Sequence, residues 1–209
     1  MPRTILLTGF EPFAGARTNP SATTVRNVAR RWTGTDRLVV EVLPVEFEAS
    51  AARMRALISE HRPDAVISVG LAAGRAAVSL ERVALNLIDA RIPDNAGRQP
   101  IDVPSLPGAS PAALASVPVK AWERVLRDAG VPVELSLSAG TFVCNHVFAT
   151  AALTAPDGVR VGFIHIPWSD EDQVDDAPSL SAATLARAVE LLCLHAFEEE
   201  ISTTGGTIA

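Results

Sequence analysis

Short, uninterrupted runs of apolar residues alternate along the chain with segments whose apolar residues recur every three or four positions. Runs of this kind are typical of strands buried on both faces of a parallel sheet, and the periodic segments are typical of the helices that cover it. The predicted fold class is therefore α/β, a single-domain α/β/α sandwich with a mostly parallel, twisted central sheet. The pattern predicts strands at residues 4–8, 38–43, 64–70, 82–88, 133–138 and 160–166.

The helices are predicted from the same periodicity and from their end signals. Asn19 is a good N-cap and Pro20 suits the first helical position, so a helix is expected from there to about Trp32. Further helices are predicted at residues 49–61, 119–129 and 145–155. The last helix carries one apolar stripe, formed by Leu185, Ala188, Val189, Leu192, Cys193, Ala196 and Phe197.

A long segment, residues 89–118, is rich in proline, glycine and polar residues and is predicted to be a loop. Loops of this length in a compact domain are usually functional or mobile, but composition alone indicates only a loop. No internal repeat or linker divides the chain, so residues 1–200 are predicted to form one domain. Residues 201–209 are expected to be a disordered tail.

Composition narrows the function classes. A 209-residue chain with 48% hydrophobic residues can bury one sizeable core. It has no run of about 18 apolar residues and no secretory signal pattern at its beginning. A formal net charge of −6 without a basic run argues against nucleic acid as a partner. Because two cysteines do not make a disulfide framework, a reducing cytoplasm is expected.

The segment SAGTFVCNHVFATAAL, residues 138–153, contains the most reactive candidate, Cys144. Cys144 lies between a predicted strand and a predicted helix, where the positive end of the helix dipole lowers a thiol pKa. It also follows the carboxyl end of a strand, where open α/β sheets place ligands. A buried structural thiol is the alternative for Cys144, and it is the expected state of Cys193 on its apolar stripe.

A nucleophilic thiol needs a base, and His165 is the best-placed histidine. It lies near the end of the strand at residues 160–166 and is expected at the same sheet edge as Cys144, although a core histidine is the alternative. His61 and His195 are expected at the surface, and His146 is expected to point away from Cys144. A zinc site formed by the C-x-H spacing has little support, because no second ligand cluster follows it.

Glu81 is a third candidate, because a carboxylate could orient the histidine and stabilise its cation. It lies just before the apolar run at residues 82–88, where an acid is more often solvated. The nearby GLAAGR, residues 70–75, is neither a dinucleotide fingerprint nor a P-loop, so it does not predict a nucleotide site.

Four segments closely resemble the signatures of one family, the pyrrolidone-carboxylate peptidases, also called pyroglutamyl peptidase I. They are LLTGFEPFAGARTNPS, GLAAGRAAVSLERVALNLIDARIPDNAGRQP, SAGTFVCNHVFATA and GFIHIPW, in the family's order and approximate spacing over about residues 4–168. The resemblance implies a cytosolic cysteine peptidase with an α/β/α sandwich, often a tetramer, that removes N-terminal pyroglutamate from peptides. It implies no metal and no organic cofactor.

The resemblance also implies roles for particular residues. The nucleophile maps onto Cys144, the histidine onto His165 and the acid onto Glu81. The first two coincide with the candidates chosen from the residues themselves, whereas Glu81 was only a possibility before the resemblance.

The substrate pocket is implied less directly. Phe10 and Phe13 are expected to flank the pyroglutamyl ring, Phe142 and Val143 to lie near the nucleophile, and Arg91 to lie close to the scissile carbonyl. Ordinary core packing is the alternative for these aromatic residues.

Three positions depart from the family's usual pattern. Ala14-Gly15 stands where the family often has two glycines, and Trp168 stands where a tyrosine is common. Leu71 stands where many members have glutamine, so no side-chain role is expected there.

Two other functions compete with the peptidase. A nucleoside phosphorylase has a related sheet architecture, and it would need phosphate and tolerate loss of Cys144. A small-molecule binding domain would bind its ligand without turnover.

Overall fold

Five helices cover a central six-stranded sheet in the computed structural model, which describes residues 2–172, 174 and 176–205. The helices are α1 (Pro20–Arg31), α2 (Phe47–His61), α3 (Val119–Asp128), α4 (Val143–Thr154) and α5 (Ala182–Leu194). The strands are β1 (Thr4–Phe10), β2 (Arg37–Leu43), β3 (Ala65–Leu71), β4 (Val78–Glu81), β5 (Val83–Leu85), β6 (Ala112–Leu114), β7 (Val133–Ser136), β8 (Arg160–Ile166), β9 (Trp168–Ser169) and β10 (Ser179–Leu180).

The central sheet has the order β2-β1-β3-β8-β4-β7 and is mostly parallel, which confirms the predicted fold class. Strands β2, β1, β3 and β8 run in one direction. Strand β4 is antiparallel to β8, and β7 is parallel to β4. The last two strands of the sheet therefore run opposite to the first four.

Each face of the sheet packs against its own helices. Residues at one strand parity, such as Leu7, Ile67 and Ile164, pack with apolar residues of α1, α3 and α5. Residues at the other parity, such as Leu6 and Phe163, pack with α2 and α4. This alternation along strands produces the three layers that the uninterrupted apolar runs predict.

The helix ends follow the local signals in part. The side chain of Asn19 accepts a hydrogen bond from the Ser21 backbone N–H at 3.0 Å, as an N-cap does, and α1 begins at Pro20 as predicted. Helix α4 begins at Val143, two residues before the predicted start, so Cys144 lies inside the first helical turn.

The prediction of one strand over residues 82–88 is wrong. The sheet strand is β4, and the next strand, β5, pairs with β6 in a separate antiparallel ribbon. The buried Asn145 side chain accepts from the Leu85 N–H at 2.9 Å and donates to the carbonyls of Leu85 and Leu87 at 2.8 and 3.0 Å. These backbone groups bond to α4 instead of to a neighbouring sheet strand.

The predicted loop at residues 89–118 is long but well anchored. It contains β6, and the Asp94 carboxylate within it accepts hydrogen bonds from the backbone N–H groups of Phe47, Ala96 and Arg98 at 2.8 to 3.0 Å. A second anchor joins Ser105 to His146 of α4, with 2.5 Å between the hydroxyl oxygen and Nδ1. The loop is therefore held against the α2 and α4 side of the sheet.

The His146 side chain contacts this loop through Ser105, and the expectation was that it points away from Cys144. Its ring packs edge-on against Phe47, with 5.8 Å between ring centroids. Burial lowers the pKa of His146 to about 4, the Phe47 carbonyl opposes this, and the charge of Arg55 lowers the pKa further. The ring is neutral at pH 7, so its Nδ1 can accept a hydrogen bond from the Ser105 hydroxyl.

The end of the described chain lies beside α3. Residues 201–205 are irregular and pass α3, where the Lys120 ammonium donates to the Thr203 carbonyl. The rest of the predicted disordered tail, residues 206–209, lies outside the described residues. Among the helices that the structure describes, none is long and apolar enough to span a bilayer.

Acid should destabilise the fold through His146. Because its pKa is lower in the folded protein than in the unfolded chain, its contribution to stability is present above about pH 6.5 and is lost as the pH falls toward 4. The free energy of unfolding should fall by roughly 3 kcal/mol over this range from this group alone. Denaturant unfolding measured at a series of pH values gives the slope.

His146→Gln should flatten that slope, because it removes the titrating group and keeps a polar side chain. Ser105→Ala is the matched control: it removes the hydrogen bond but leaves the histidine, so it should lower stability at pH 7 and retain a pH slope. An unchanged slope in His146→Gln would assign the acid sensitivity to other groups.

Candidate active site

A polar patch interrupts the apolar layer between the sheet and the helices α2 and α4. In β3 and β8, the residues that face these helices are apolar at first and become polar or small toward the carboxyl end, and Thr8 of β1 lies beside them. Thr8, Ser68, Gly70 and His165 occupy these positions, and the Thr8 hydroxyl donates to the buried Ser68 hydroxyl oxygen at 2.9 Å. The patch therefore brings polar side chains together below the protein surface.

Cys144 reaches this patch from α4. It is the second residue of the helix and is partly exposed. A Cβ atom added to Gly70 would lie 2.9 Å from the Cys144 sulfur, 3.1 Å from Cδ2 of His165 and 3.0 Å from Cζ of Phe163. The sulfur and the imidazole ring therefore lie beside the same point above Gly70, in space that any larger residue would fill.

The structure brings Cys144 and His165 together by a route that differs from the prediction. The expectation was that β7 and β8 end at the same sheet edge, but β7 runs antiparallel to β8 through its pairing with β4. Strand β4 is short and ends at Glu81, opposite Phe163 in the middle of β8. Strand β7 pairs with β4 and ends at Ser136, and the turn at residues 137–142 leads from β7 to the start of α4.

His165 is oriented by Glu81. Its Nδ1 lies 2.8 Å from Oε1 of Glu81, and both side chains are buried. Because an ionised carboxylate only accepts hydrogen bonds, Nδ1 carries the proton and Nε2 is left as an acceptor. Cδ2, which is bonded to Nε2, lies next to the point that the Cys144 sulfur also adjoins, so Nε2 neighbours the ring atom nearest that point.

Glu81 is held ionised although its side chain has no solvent exposure. Burial raises the pKa of this carboxyl, but His165 through its hydrogen bond and charge, the Ser136 hydroxyl and the Arg75 charge together hold it below its ordinary value. The Arg75 guanidinium lies 2.7 Å from the same Oε1 that His165 contacts. Glu81 is the last residue of β4, and its side chain is buried. It is therefore not the solvated acid that its place before an apolar run would favour.

The resting state of Cys144 is the thiol. Burial raises its pKa to about 12, the Glu81 charge adds to this, and the Cys144 backbone N–H opposes it. The backbone at the helix start lowers this pKa as predicted, but loss of solvation and a nearby carboxylate outweigh it, so the net pKa is raised and not lowered. Cys193 is buried in the layer beside α1 and α3, as predicted.

The predicted pocket residues occupy three different environments. Phe13 is half-buried, and its ring centroid lies 6.1 Å from that of Phe142. Phe10 and Val143 are buried, and the Phe10 centroid lies 6.2 Å from that of Phe163. Arg91 is exposed on the long loop. Phe13 and Phe142 are thus the pair with both aromatic surface and access to solvent.

Sequence reasoning missed several residues at the site. Phe47 packs edge-on against Phe142 with 5.3 Å between ring centroids. Gly70 provides the space, Arg75 neutralises Glu81, and Asn145 clamps the segment that follows β5. Only Gly70 had a visible signal, because a glycine near the end of a buried strand often marks a close approach.

The potential metal ligands of the described chain do not cluster. In the part of the chain that the structure describes, no group of three or more His, Cys, Asp or Glu side chains is placed to hold a metal ion. The Cys144 and His146 side chains in particular face different partners, His165 and Ser105.

The chain is similar to proteins named as peptidases over almost its whole length. Residues 3–199 match the profile of a family described as pyroglutamyl peptidase. The chain is 47% identical over 192 residues to a pyrrolidone-carboxylate peptidase of Gloeobacter violaceus, covering 90% of this chain and 94% of that protein. It is 44% identical over 207 residues to one of Erwinia tasmaniensis, covering 97% of each.

The fold shows the same similarity. The structure matches the crystal structure of pyroglutamyl peptidase I from Bacillus amyloliquefaciens with a TM-score of 0.89 and 38% sequence identity. The match covers 95% of this chain and 100% of the other.

Alkylation should report the raised pKa of Cys144. With a pKa of about 12, the thiolate fraction and the rate of reaction with iodoacetamide should rise about tenfold per pH unit between pH 7 and 10. Mass spectrometry of the Cys144 peptide measures the rate, and Cys144→Ser gives the background from Cys193. A rate that is already constant near pH 7 would show a preformed thiolate instead.

Proposed function

The chain belongs to the pyroglutamyl peptidase family, and we propose that it removes N-terminal pyroglutamyl residues from peptides by attack of Cys144 on the scissile carbonyl. Family membership makes it a hydrolase of the cysteine-peptidase class. The observation that carries the assignment of the site is the meeting of the Cys144 sulfur and the His165 ring above Gly70, with Glu81 behind the ring.

The first step joins attack to proton transfer. Because the resting thiol is protonated, Nε2 of His165 takes its proton as the sulfur bonds to the carbonyl carbon. The imidazolium that forms is stabilised by the ionised Glu81, whose Oε1 accepts from Nδ1. Burial of the thiol therefore requires the base to act during attack.

The second step releases the peptide. As the C–N bond breaks, the imidazolium returns the proton to the leaving amine, and a thioester joins Cys144 to the pyroglutamyl group. Nε2 of His165 then takes a proton from water, whose oxygen attacks the thioester carbon. The thiolate leaves, regains a proton from the imidazolium, and free pyroglutamate departs.

The oxyanion of each step needs hydrogen-bond donors, and the start of α4 supplies them. The backbone N–H groups of the first helical turn have no acceptor within the helix. Phe142 is at the N-cap and makes no side-chain capping bond to them. These N–H groups are available to the carbonyl oxygen beside Cys144, where they would stabilise developing negative charge.

Recognition of the substrate's first residue rests on aromatic surface. A pyroglutamyl ring is a neutral lactam, and Phe13 and Phe142 offer a partly exposed apolar surface next to the nucleophile. An ordinary N-terminal residue carries an ammonium group, which such a surface cannot solvate. The same surface therefore favours the lactam and disfavours a free amino terminus.

Hydrolysis of a pyroglutamyl amide with a chromogenic leaving group tests the function. The wild type should release the chromophore with EDTA present and without added phosphate, and Cys144→Ser should lose at least about a thousandfold in kcat/KM. Cys193→Ala is the matched control, since that thiol lies on the other side of the sheet, and it should retain activity.

Three results would contradict the proposal. Full turnover by Cys144→Ser would remove the nucleophile, and dependence on phosphate would favour a phosphorylase. Loss with EDTA and recovery with zinc would replace the cysteine mechanism by metal chemistry.

Phe13→Ala should weaken recognition of the lactam. The lost apolar contact should cost on the order of 1–3 kcal/mol in transition-state binding, seen as a lower kcat/KM for the pyroglutamyl amide. Phe197→Ala, which removes a ring that stacks on Arg3 far from Cys144 in the sequence, should leave the kinetics unchanged. Equal kinetics for wild type and a folded Phe13→Ala would assign Phe13 to packing.

A further inference from the structure

We infer that Arg75 is a positioning residue. It holds the Glu81 carboxylate in place relative to the turn that leads to Cys144, and it keeps this carboxylate ionised behind His165. This inference rests on the proposed function, because it assigns Arg75 a role in the same site. Arg75 lies in the loop between β3 and β4, six residues before Glu81.

The first observation is that two hydrogen-bond donors, Arg75 and His165, share one oxygen of Glu81. Oε1 of Glu81 is 2.7 Å from a terminal nitrogen of Arg75 and 2.8 Å from Nδ1 of His165. Within the described residues, the other oxygen, Oε2, is fully buried and has no hydrogen-bond partner. The carboxylate is therefore held from one side, and removing Arg75 would leave His165 as its one strong contact.

The second observation is that Arg75 also contacts the turn before the nucleophile. Its second terminal nitrogen donates to the Ser138 carbonyl over 3.4 Å. A guanidinium is planar and rigid, so its short contact with Glu81 and its longer contact with Ser138 favour one relative position of the two groups. Arg75 thus connects β4, which carries the acid, to the turn at residues 137–142, which carries the chain to Cys144.

Charge gives Arg75 a second effect. The base must be neutral before attack, and in that state Arg75 supplies the permanent positive charge next to the buried carboxylate. When the ring is protonated, two cations share one carboxylate, which makes proton uptake by the Glu81–His165 pair less favourable. The pair is therefore kept ready to accept the thiol proton.

The other groups that face Glu81 do not replace this charge. Ser136 of β7 is directly opposite Glu81 in the sheet and contributes a neutral hydroxyl, whose bond to the Ser138 carbonyl is a long 3.3 Å. Cys144 of α4 is a thiol at rest. Of the groups described around the carboxylate, Arg75 and a protonated His165 are the cations.

The test compares charge and shape at position 75. Arg75→Met removes the charge and both arms, and it should lower kcat/KM for the pyroglutamyl amide by roughly tenfold to a hundredfold. The acid limb of the kcat/KM profile should move up by about one pH unit, because the pair then takes up a proton more readily. Arg75→Lys keeps the charge but loses the fork, so its limb should stay in place while its kcat/KM falls by less.

Arg82→Met is the matched control. It removes one positive charge one residue from Glu81, and no hydrogen bond or ion pair joins the Arg82 side chain to the site in the described structure. It should keep the wild-type profile. If Arg75→Met does not fold, Arg75→Gln carries the same pH test with a polar side chain in place of the apolar one.

An acid limb that stays in place in Arg75→Met would overturn the inference, as would equal losses and equal limbs in the Met and Lys variants. The pH profile of Cys144 alkylation measures the same pair without a substrate. Failure of the proposed function would appear as a wild type without turnover of the pyroglutamyl amide, whereas failure of the role of Arg75 would appear in an active wild type as an acid limb and an alkylation profile that Arg75→Met does not change.

Discussion

The buried carboxylate of Glu81 is the constraint on which the site depends. A carboxylate without solvent must be paired, and here two donors converge on one of its oxygens. Pairing with His165 sets the tautomer of the ring, and pairing with Arg75 keeps the carboxylate ionised while the ring is neutral. In the proposed mechanism, the direction of proton transfer follows from these two contacts.

Space is the second constraint, and Gly70 provides it. The Cys144 sulfur and the His165 ring approach the sheet closely enough that a single methyl group at Gly70 would touch both. Helix α4 can lie this close because Asn145, the residue after Cys144, bonds to the backbone at Leu85 and Leu87 and so fixes the start of the helix. The same contacts that divide the predicted strand at residues 82–88 therefore place Cys144.

Burial gives the site a particular chemical character. A thiol with a raised pKa reacts slowly with general electrophiles, and its reactivity depends on a base that is correctly oriented. In the proposed mechanism, attack begins when a substrate carbonyl is placed between the sulfur and the N–H groups of α4. This links specificity for the lactam ring to the chemistry, because a ligand that does not position its carbonyl leaves the thiol protonated.

The sequence by itself determined the layers of the fold, the N-cap at Asn19 and the candidates Cys144 and His165, because periodicity, capping and local chemistry are short-range properties. It did not determine the reversal of β4 and β7, the division of residues 82–88 or the burial of Glu81, since these depend on partners distant in the chain. The raised pKa of Cys144 has the same origin. A helix start predicts a lower thiol pKa, and only the packed structure shows that desolvation outweighs it.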